Sequence, residues 1–377
     1  MDFSFSPEEL KIRERAAEVA RLVKPHAHAW DEANLLTDEL RQVMRDSGLA
    51  RLMVPAEFGG ESERLDPLHI ALVREQLMAA SSAADALFAL QGIGSNAITT
   101  VGTPEQKAYW LPRIASMDAL AAVALTEPQT GSDLRSITTT MVRDGDDLVV
   151  NGAKSFISNA PYADVYATLV KEGDGLSLVL VPKETPGVTF GRTPDLIAPH
   201  VIGEVFYDDV RITDADRLGE PGKGLEAALG TLAIFRVSVG AAAIGLAEAA
   251  LAVAVRHTQE RQNKGKPLAR IGAVASLLAD AKIDLEQARW VTYHAAWKAR
   301  TDPLGAISTT SLAKVAATEA ADRVTDRCVQ VMGRFGLLAG SDIERYAREA
   351  RPMRIYEGAN EVLRLTIARD LPGEYLA

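Results

Sequence analysis

Most residue types that could do chemistry in this 377-residue chain stand at spacings that exclude it. Gly222-Lys223-Gly224 lacks the GxxxxGK[ST] spacing with which backbone amides surround a phosphate, and reads as a turn that opens a helix. Gly333, Gly336 and Gly340 follow a helical stretch, whereas a dinucleotide fingerprint needs a strand ahead of its glycines. The histidines His26, His28, His69, His200, His257 and His294 are scattered. His26 and His28 stand two apart in a predicted helix and so on different faces; no metal site is expected. No GxSxG elbow occurs, and the single cysteine, Cys328, has helix-type neighbours that suit a small core or interface residue. One segment lacks both helical and strand periodicity: Leu125-Thr126-Glu127-Pro128-Gln129-Thr130-Gly131-Ser132-Asp133. By residue type alone it is a surface loop of turn formers. Tyr356-Glu357-Gly358 places a carboxylate just before a helical run at Glu361–Asp370, where it favours the helix dipole.

The elements that must position these groups follow from composition and periodicity. Hydrophobic residues make up 47% and charged residues 24%, enough for a sizeable core and close to the average for a globular protein. With 51 acidic against 41 basic residues the net charge is −10, which repels nucleic acid and anionic membranes; neither is expected as a partner. The N-terminal stretch carries early acids and no apolar signal core, and no window of about 18 uninterrupted apolar residues occurs, so a soluble, cytoplasmic protein is expected. Ser6, Pro7, Glu8 and Glu9 signal a helix start. Helical spacing recurs at Thr37–Ser47, Leu65–Ala84, Ala86–Val101 and Pro104–Ser116. Short β-rich runs then appear at 148–150, 156–157, 165–170, 176–181 and 205–210, separated by Gly, Asp, Asn and Pro. Long apolar stripes return at Leu225–Glu260, Leu268–Arg300, Ile307–Met332 and Glu361–Asp370, as in a helix bundle. The expected fold is mostly α with a central β domain, in three segments: 1–120 helical, 121–215 β, 216–377 a helical bundle.

Thr126–Asp133, TEPQTGSD, strongly resembles the TEPxAGSD signature of the acyl-CoA dehydrogenases. The stretch 102–128 resembles what precedes that signature, and NGAKSFISNA at 151–160 resembles the strand motif after it. VFYDDVRI at 205–212, GEPGKGLEAAL at 219–229 and IYEGANEVLRLTIAR at 355–369 resemble the exit from the β domain and the C-terminal catalytic motif. The matches run in order over most of the chain.

The resemblance implies an N-terminal helical domain, a small β-barrel-like domain and a C-terminal four-helix bundle. It also implies FAD-dependent α,β-dehydrogenation of an acyl thioester, acyl-CoA to enoyl-CoA, with hydride passing to flavin N5 and electrons onward to an electron-transferring flavoprotein. Glu357, ahead of Gly358, stands where the family's base stands, and burial would raise its pKa towards the working range. Phe235 stands where other members place a Glu base on the long helix, which disfavours that alternative here. By resemblance Leu125 and Thr126 meet the flavin pyrimidine edge, Ser132 the pyrophosphate or the substrate, and Phe156 and Ser158 the flavin face and N5; many members have Trp and Thr at the last two. Arg261, Gln330 and Gly333 would serve the FAD of a neighbouring subunit in a homotetramer, a dimer of dimers. Ala359 and Glu361 complete the C-terminal flavin contacts, and Ser132, Arg236 and Gly358 the substrate contacts. Departures cluster at the adenosine end: Lys264 for the usual aromatic, Gly272 for Gln, Arg334 for the second glycine and Ala359 for Thr. Ala233 replaces an Asp or Asn, and residues 192–204 lack the G-x-R-x-S pattern. Two alternatives follow from these departures, an acyl group on a carrier protein or a specialised intermediate as substrate, and a flavin-free binding paralogue; oxygen as acceptor is a further variant.

Overall fold

The structure, a computed structural model, describes residues 4–198 and 200–376. The chain opens with α1 Pro7–Val23, α2 Ala27–Ala33, α3 Asp38–Ser47, α4 Pro67–Met78, α5 Ser82–Val101 and α6 Pro104–Ala115. Five of these six starts carry a side-chain cap; α2, which follows His26, has none. Ser6 Oγ accepts from the Glu9 amide at 3.2 Å while the Glu9 carboxylate accepts from the Ser6 amide at 2.7 Å. Leu65–Ala84 is not one helix: Ser81 Oγ caps Ala84 N at 3.3 Å, so α4 ends at Met78 and α5 begins at Ser82. Helix α2 was not legible as a separate element. A short 3₁₀ turn, Lys24–His26, divides it from α1 and puts His26 and His28 in different elements.

Strands β1 Ala121–Ala124, β2 Thr140–Asp144, β3 Asp147–Ser158, β4 Val165–Glu172, β5 Gly175–Pro182, β6 Val188–Phe190, β7 Ile202–Ile212 and β8 Arg217–Leu218 form one sheet. Its order is β6-β7-β3-β2-β4-β5-β8, with β1 running parallel to β4. The buried face is read from alternation, as in Leu148, Val150 and Val205, Tyr207. The β3–β7 ladder shifts register between Lys154 and Ile157, and Phe156 sits in that bulge at φ +55°.

The C-terminal segment comprises α7 Gly224–Glu260, a short hairpin of β9 Gln262–Asn263 and β10 Lys266–Pro267, then α8 Gly272–Thr301, α9 Ile307–Met332, α10 Asp342–Met353 and α11 Asn360–Tyr375. The stripe expected from Leu268 starts at Gly272, because a 3₁₀ turn occupies Leu268–Arg270. Helix α10 was not expected, although Ile343, Tyr346, Ala350 and Met353 bury one face of it. Alanines line the seam of α7, α8 and α9, among them Ala243, Ala247, Ala281, Ala317 and Ala321, all buried. Side chains that small let the helices approach closely, which accounts for the alanine-rich composition. Helix α7 is long and apolar enough to cross a membrane by length and composition, but 78% of its most apolar window is buried inside the protein. It is the central helix, packed against α4 and α5 as well as α8 and α9.

Candidate active site

Glu357 lies on the turn between α10 and α11, where both it and Gly358 take left-handed backbone, at φ +56° and +99°. Such a conformation is costly for a non-glycine residue and persists only where its surroundings impose it. Two buried cations do so here. Arg236 Nε on α7 donates to the Glu357 carbonyl at 3.2 Å, and Lys314 Nζ on α9 donates to the Gly358 carbonyl at 2.9 Å and to Asn360 Oδ1 at 2.9 Å. Gly358 is required: a Cβ there would add to its positive φ a 3.0 Å contact with Leu363. The Glu357 oxygen Oε2 is enclosed and has no hydrogen-bond partner among the described residues. Burial raises the Glu357 pKa above the ordinary carboxylate range, and the charges of Arg236, Arg74 and Lys314 act against that rise.

Arg74 on α4 joins this centre to the β domain. It is buried and forked onto Asp85 of α5, at 2.9 Å from Nε and 2.6 Å from Nη2, while Nη1 donates to Ser238 Oγ at 2.9 Å. Its charge acts on Glu357, and also on His200, whose ring nitrogen pairs with Ser158 Oγ at 2.9 Å. Burial first and Arg74 second push His200 down to about 4, so the imidazole is neutral at physiological pH. Sequence reasoning missed Arg74, Asp85, Ser238, His200 and Lys314. Lys314 alone left a trace, as a lone lysine on a face with Ala313, Ala317 and Ala321.

The polar segment 125–133 is held by the acid in its middle. Glu127, fully buried, accepts from Thr139 N at 2.9 Å, Thr138 N at 2.6 Å, Thr138 Oγ1 at 2.9 Å and Gln129 at 2.6 Å. Lys154 of β3 completes the set at 2.9 Å and also donates to the Leu125 carbonyl at 3.2 Å. Burial would raise the Glu127 carboxyl, but the donors from Thr139, Thr138 and Lys154 overcome it and lower it to about 2. Ser155 N donates to the Thr126 carbonyl at 3.0 Å, which seats Leu125 and Thr126 against the strand that carries Phe156 and Ser158. The Thr126 hydroxyl has no partner among the described residues, and Phe156 turns a 62% exposed ring outward from its bulge. An exposed aromatic face beside an unpaired hydroxyl fits a flat heteroaromatic cofactor.

The remaining predicted positions separate into three places. Glu357, Gly358, Arg236, Ala359 and Glu361 share the turn and its flanks, with Glu361 exposed in the first turn of α11. Ser132 is exposed on its loop. Arg261 caps the far end of α7, 25 residues beyond Arg236, or about 37 Å along the helix. There it lies over the Phe335 ring at 5.1 Å, near exposed Gln330 and Gly333. Phe235 points away from the turn, wholly buried in the N-terminal core against Gly92 and Met53. Among the described residues no group of three His, Cys, Asp or Glu side chains is placed to hold a metal ion.

Comparison with known proteins decides the family. The acyl-CoA dehydrogenase N-terminal, middle and C-terminal domains match residues 6–118, 122–210 and 222–371. The chain belongs to the acyl-CoA dehydrogenase family. Among related sequences, the cyclohex-1-ene-1-carbonyl-CoA dehydrogenase of Geobacter metallireducens is 34% identical over 93% of this chain and 94% of its own. Among solved structures, butyryl-CoA dehydrogenase from Megasphaera elsdenii superposes with a TM-score of 0.94 at 30% identity, covering 98% of this chain and 100% of its own. A glutaryl-CoA dehydrogenase from Mycobacterium smegmatis, solved with FADH2, gives 0.91 at 27% identity, covering 98% and 95%. This acyl-CoA dehydrogenase is therefore an oxidoreductase acting on CH–CH groups, in a flavin-dependent family, with the helical, β and helical layout of its relatives.

Proposed function

We propose that the chain dehydrogenates an acyl-CoA thioester to the enoyl-CoA, with Glu357 as the base that takes the α proton. The observation that carries this reading is the enclosed, unpartnered Oε2 of Glu357 on a turn clamped in left-handed backbone. A carboxylate in that setting is more basic than in water and has a lone pair free for a proton beside a thioester carbonyl. The Glu357 N–H donates to no group among the described residues, so it is available to the thioester oxygen as charge develops there. The charges of Arg236, Arg74 and Lys314 favour the ionised form against the rise that burial causes.

FAD, when bound, supplies the acceptor for the β-hydride. Leu125, Thr126, Phe156 and Ser158 would hold its ring, His200 fixing the Ser158 hydroxyl, and Ser132, Ala359 and Glu361 would flank it. Arg261, Gln330 and Gly333 lie too far along the bundle for the same chain's site and would serve a neighbour in a homotetramer. Exposed Ile283, Trp290 and Trp297, seven residues apart on α8, supply an apolar face for such assembly. An electron-transferring flavoprotein would reoxidise the flavin.

Purified protein reconstituted with FAD is expected to show a flavin spectrum that butyryl-CoA bleaches anaerobically. Glu357→Gln should keep the spectrum and slow bleaching by about 10³-fold or more. Unchanged bleaching in that variant refutes Glu357 as base, and absence of flavin binding refutes the cofactor.

A further inference from the structure

Lys314 is wholly buried in the middle of α9, an unusual place for an ammonium, and both of its hydrogen bonds go to the turn that carries the base. Resting on Glu357 as base, we propose that Lys314 is a positioning residue of the dehydrogenation: it fixes the backbone of the Glu357 turn and supplies the nearby charge that sets the basicity of Glu357. Three observations support this. With Arg236 on the Glu357 carbonyl and Lys314 on the Gly358 carbonyl, two successive peptide planes are held, which sets the direction in which the Glu357 side chain leaves the turn. Asn360, the second partner of Lys314, is itself locked by Nδ2 donating to Thr318 Oγ1 and to Glu319, both at 3.0 Å, so the ammonium bonds to a rigid acceptor. The strained φ at Glu357 needs such anchors, since a free turn would relax towards ordinary backbone.

The charged groups acting on Lys314 are Glu357 on the turn, Arg236 on α7, Glu361 on α11 and Glu319 on its own helix. Burial first, and Arg236 with it, lower its pKa to about 7 against the pull of the three carboxylates. Below that pH the ammonium is charged and favours ionised Glu357. As pH rises through it, the charge is withdrawn and Glu357 becomes a stronger base. Lys314 thus acts through Glu357 and touches no reacting atom.

The experiment uses the full-length, FAD-reconstituted enzyme and its Lys314→Gln, Lys314→Met and Lys314→Arg variants. The probe is 3,3-dimethylbutanoyl-CoA, whose β carbon carries no hydrogen, so that exchange of its α protons in D₂O reports the base without hydride transfer. Butyryl-CoA bleaching is followed in parallel. Lys314→Gln, which retains a donor without the charge, should move the acid limb of the exchange rate upward by about one pH unit. Lys314→Met should in addition slow exchange by about 100-fold with little change in KM. Lys314→Arg should restore the acid limb to within a few tenths of a unit. Should Lys314→Met fail to fold, the Gln and Arg variants decide the matter. Wild-type acid limbs in folded Lys314→Gln and Lys314→Arg alike overturn the proposal. Loss of exchange in Lys314→Gln with no limb shift, not restored by Arg, also overturns it in favour of a purely structural lysine. Normal α-proton exchange in the Glu357→Gln variant would instead strike the underlying reading of the base.

Discussion

Replacing Glu127 by Gln tests whether the buried ion pair under the polar loop is a constraint or an ornament. Glu127 and Lys154 are both wholly enclosed, 2.9 Å apart. Lowering the Glu127 carboxyl from 4.5 to about 2 corresponds to about 3 kcal/mol of stability that is present above pH 4.5 and lost as pH falls towards 2. Lowering Lys154 from 10.5 to about 8, chiefly by burial, costs about the same, a penalty present below pH 8 and relieved as pH rises through 10.5. The two nearly cancel at neutral pH, so the pair adds little net stability. Breaking it is another matter, because an unpaired buried ammonium remains. Glu127→Gln should cost about 3 to 5 kcal/mol at pH 7. Lys154→Met should cost less, about 1 to 3 kcal/mol, because Glu127 keeps its donors from Thr138, Thr139 and Gln129. The double variant should fall short of the sum by about 2 kcal/mol or more. Equilibrium urea unfolding at pH 7 measures all three, with FAD affinity as a second readout, since the same contacts seat Leu125 and Thr126. A Glu127→Gln cost below about 1 kcal/mol, or additivity within about 0.5 kcal/mol, refutes the reasoning.

Three further outcomes are expected. Phe235→Ala, in a core with no room to collapse, should cost about 3 to 5 kcal/mol. Gly92→Ala places a methyl 2.5 Å from the Phe235 ring and from Met53 Sδ, so it should destabilise the wild type yet be tolerated on the Phe235→Ala background; urea unfolding of the four proteins checks this reversal. His200 has a folded pKa of about 4, below the ordinary 6.5, so its contribution to stability is present above pH 6.5 and lost as pH falls towards 4. In ¹⁵N-labelled protein its imidazole should stay neutral down to pH 5, and His200→Gln should flatten the stability loss between pH 6.5 and 5. Cys328, buried and with its thiol pushed up to about 12, should react with a thiol reagent only as fast as the protein unfolds.

The sequence determined a good deal by itself. Capping residues such as Ser6 and Thr103, the alternation along β3 and β7, and the alanine stripes of α7 and α9 are local rules written in neighbouring residues. The motif at Thr126–Asp133 and the Glu357–Gly358 pair were visible in the same way, as residue types at fixed spacing. What surrounds Glu357 was not legible, because its partners come from distant points of the chain. Arg74 lies on α4, Arg236 on α7 and Lys314 on α9; the family resemblance singled out Arg236, as a substrate contact and not as a partner of Glu357, and the other two read in isolation as ordinary helix residues. Only packing of those helices brings three cations to one carboxylate and removes the water that would screen them. The same holds for Glu127, which by type is a loop acid and by tertiary placement is the buried anchor of the loop. Local spacing specified most of the elements and marked the Glu357–Gly358 pair, whereas the electrostatics and orientation of Glu357 depend on burial and contacts at long sequence separation, which the fold alone decides.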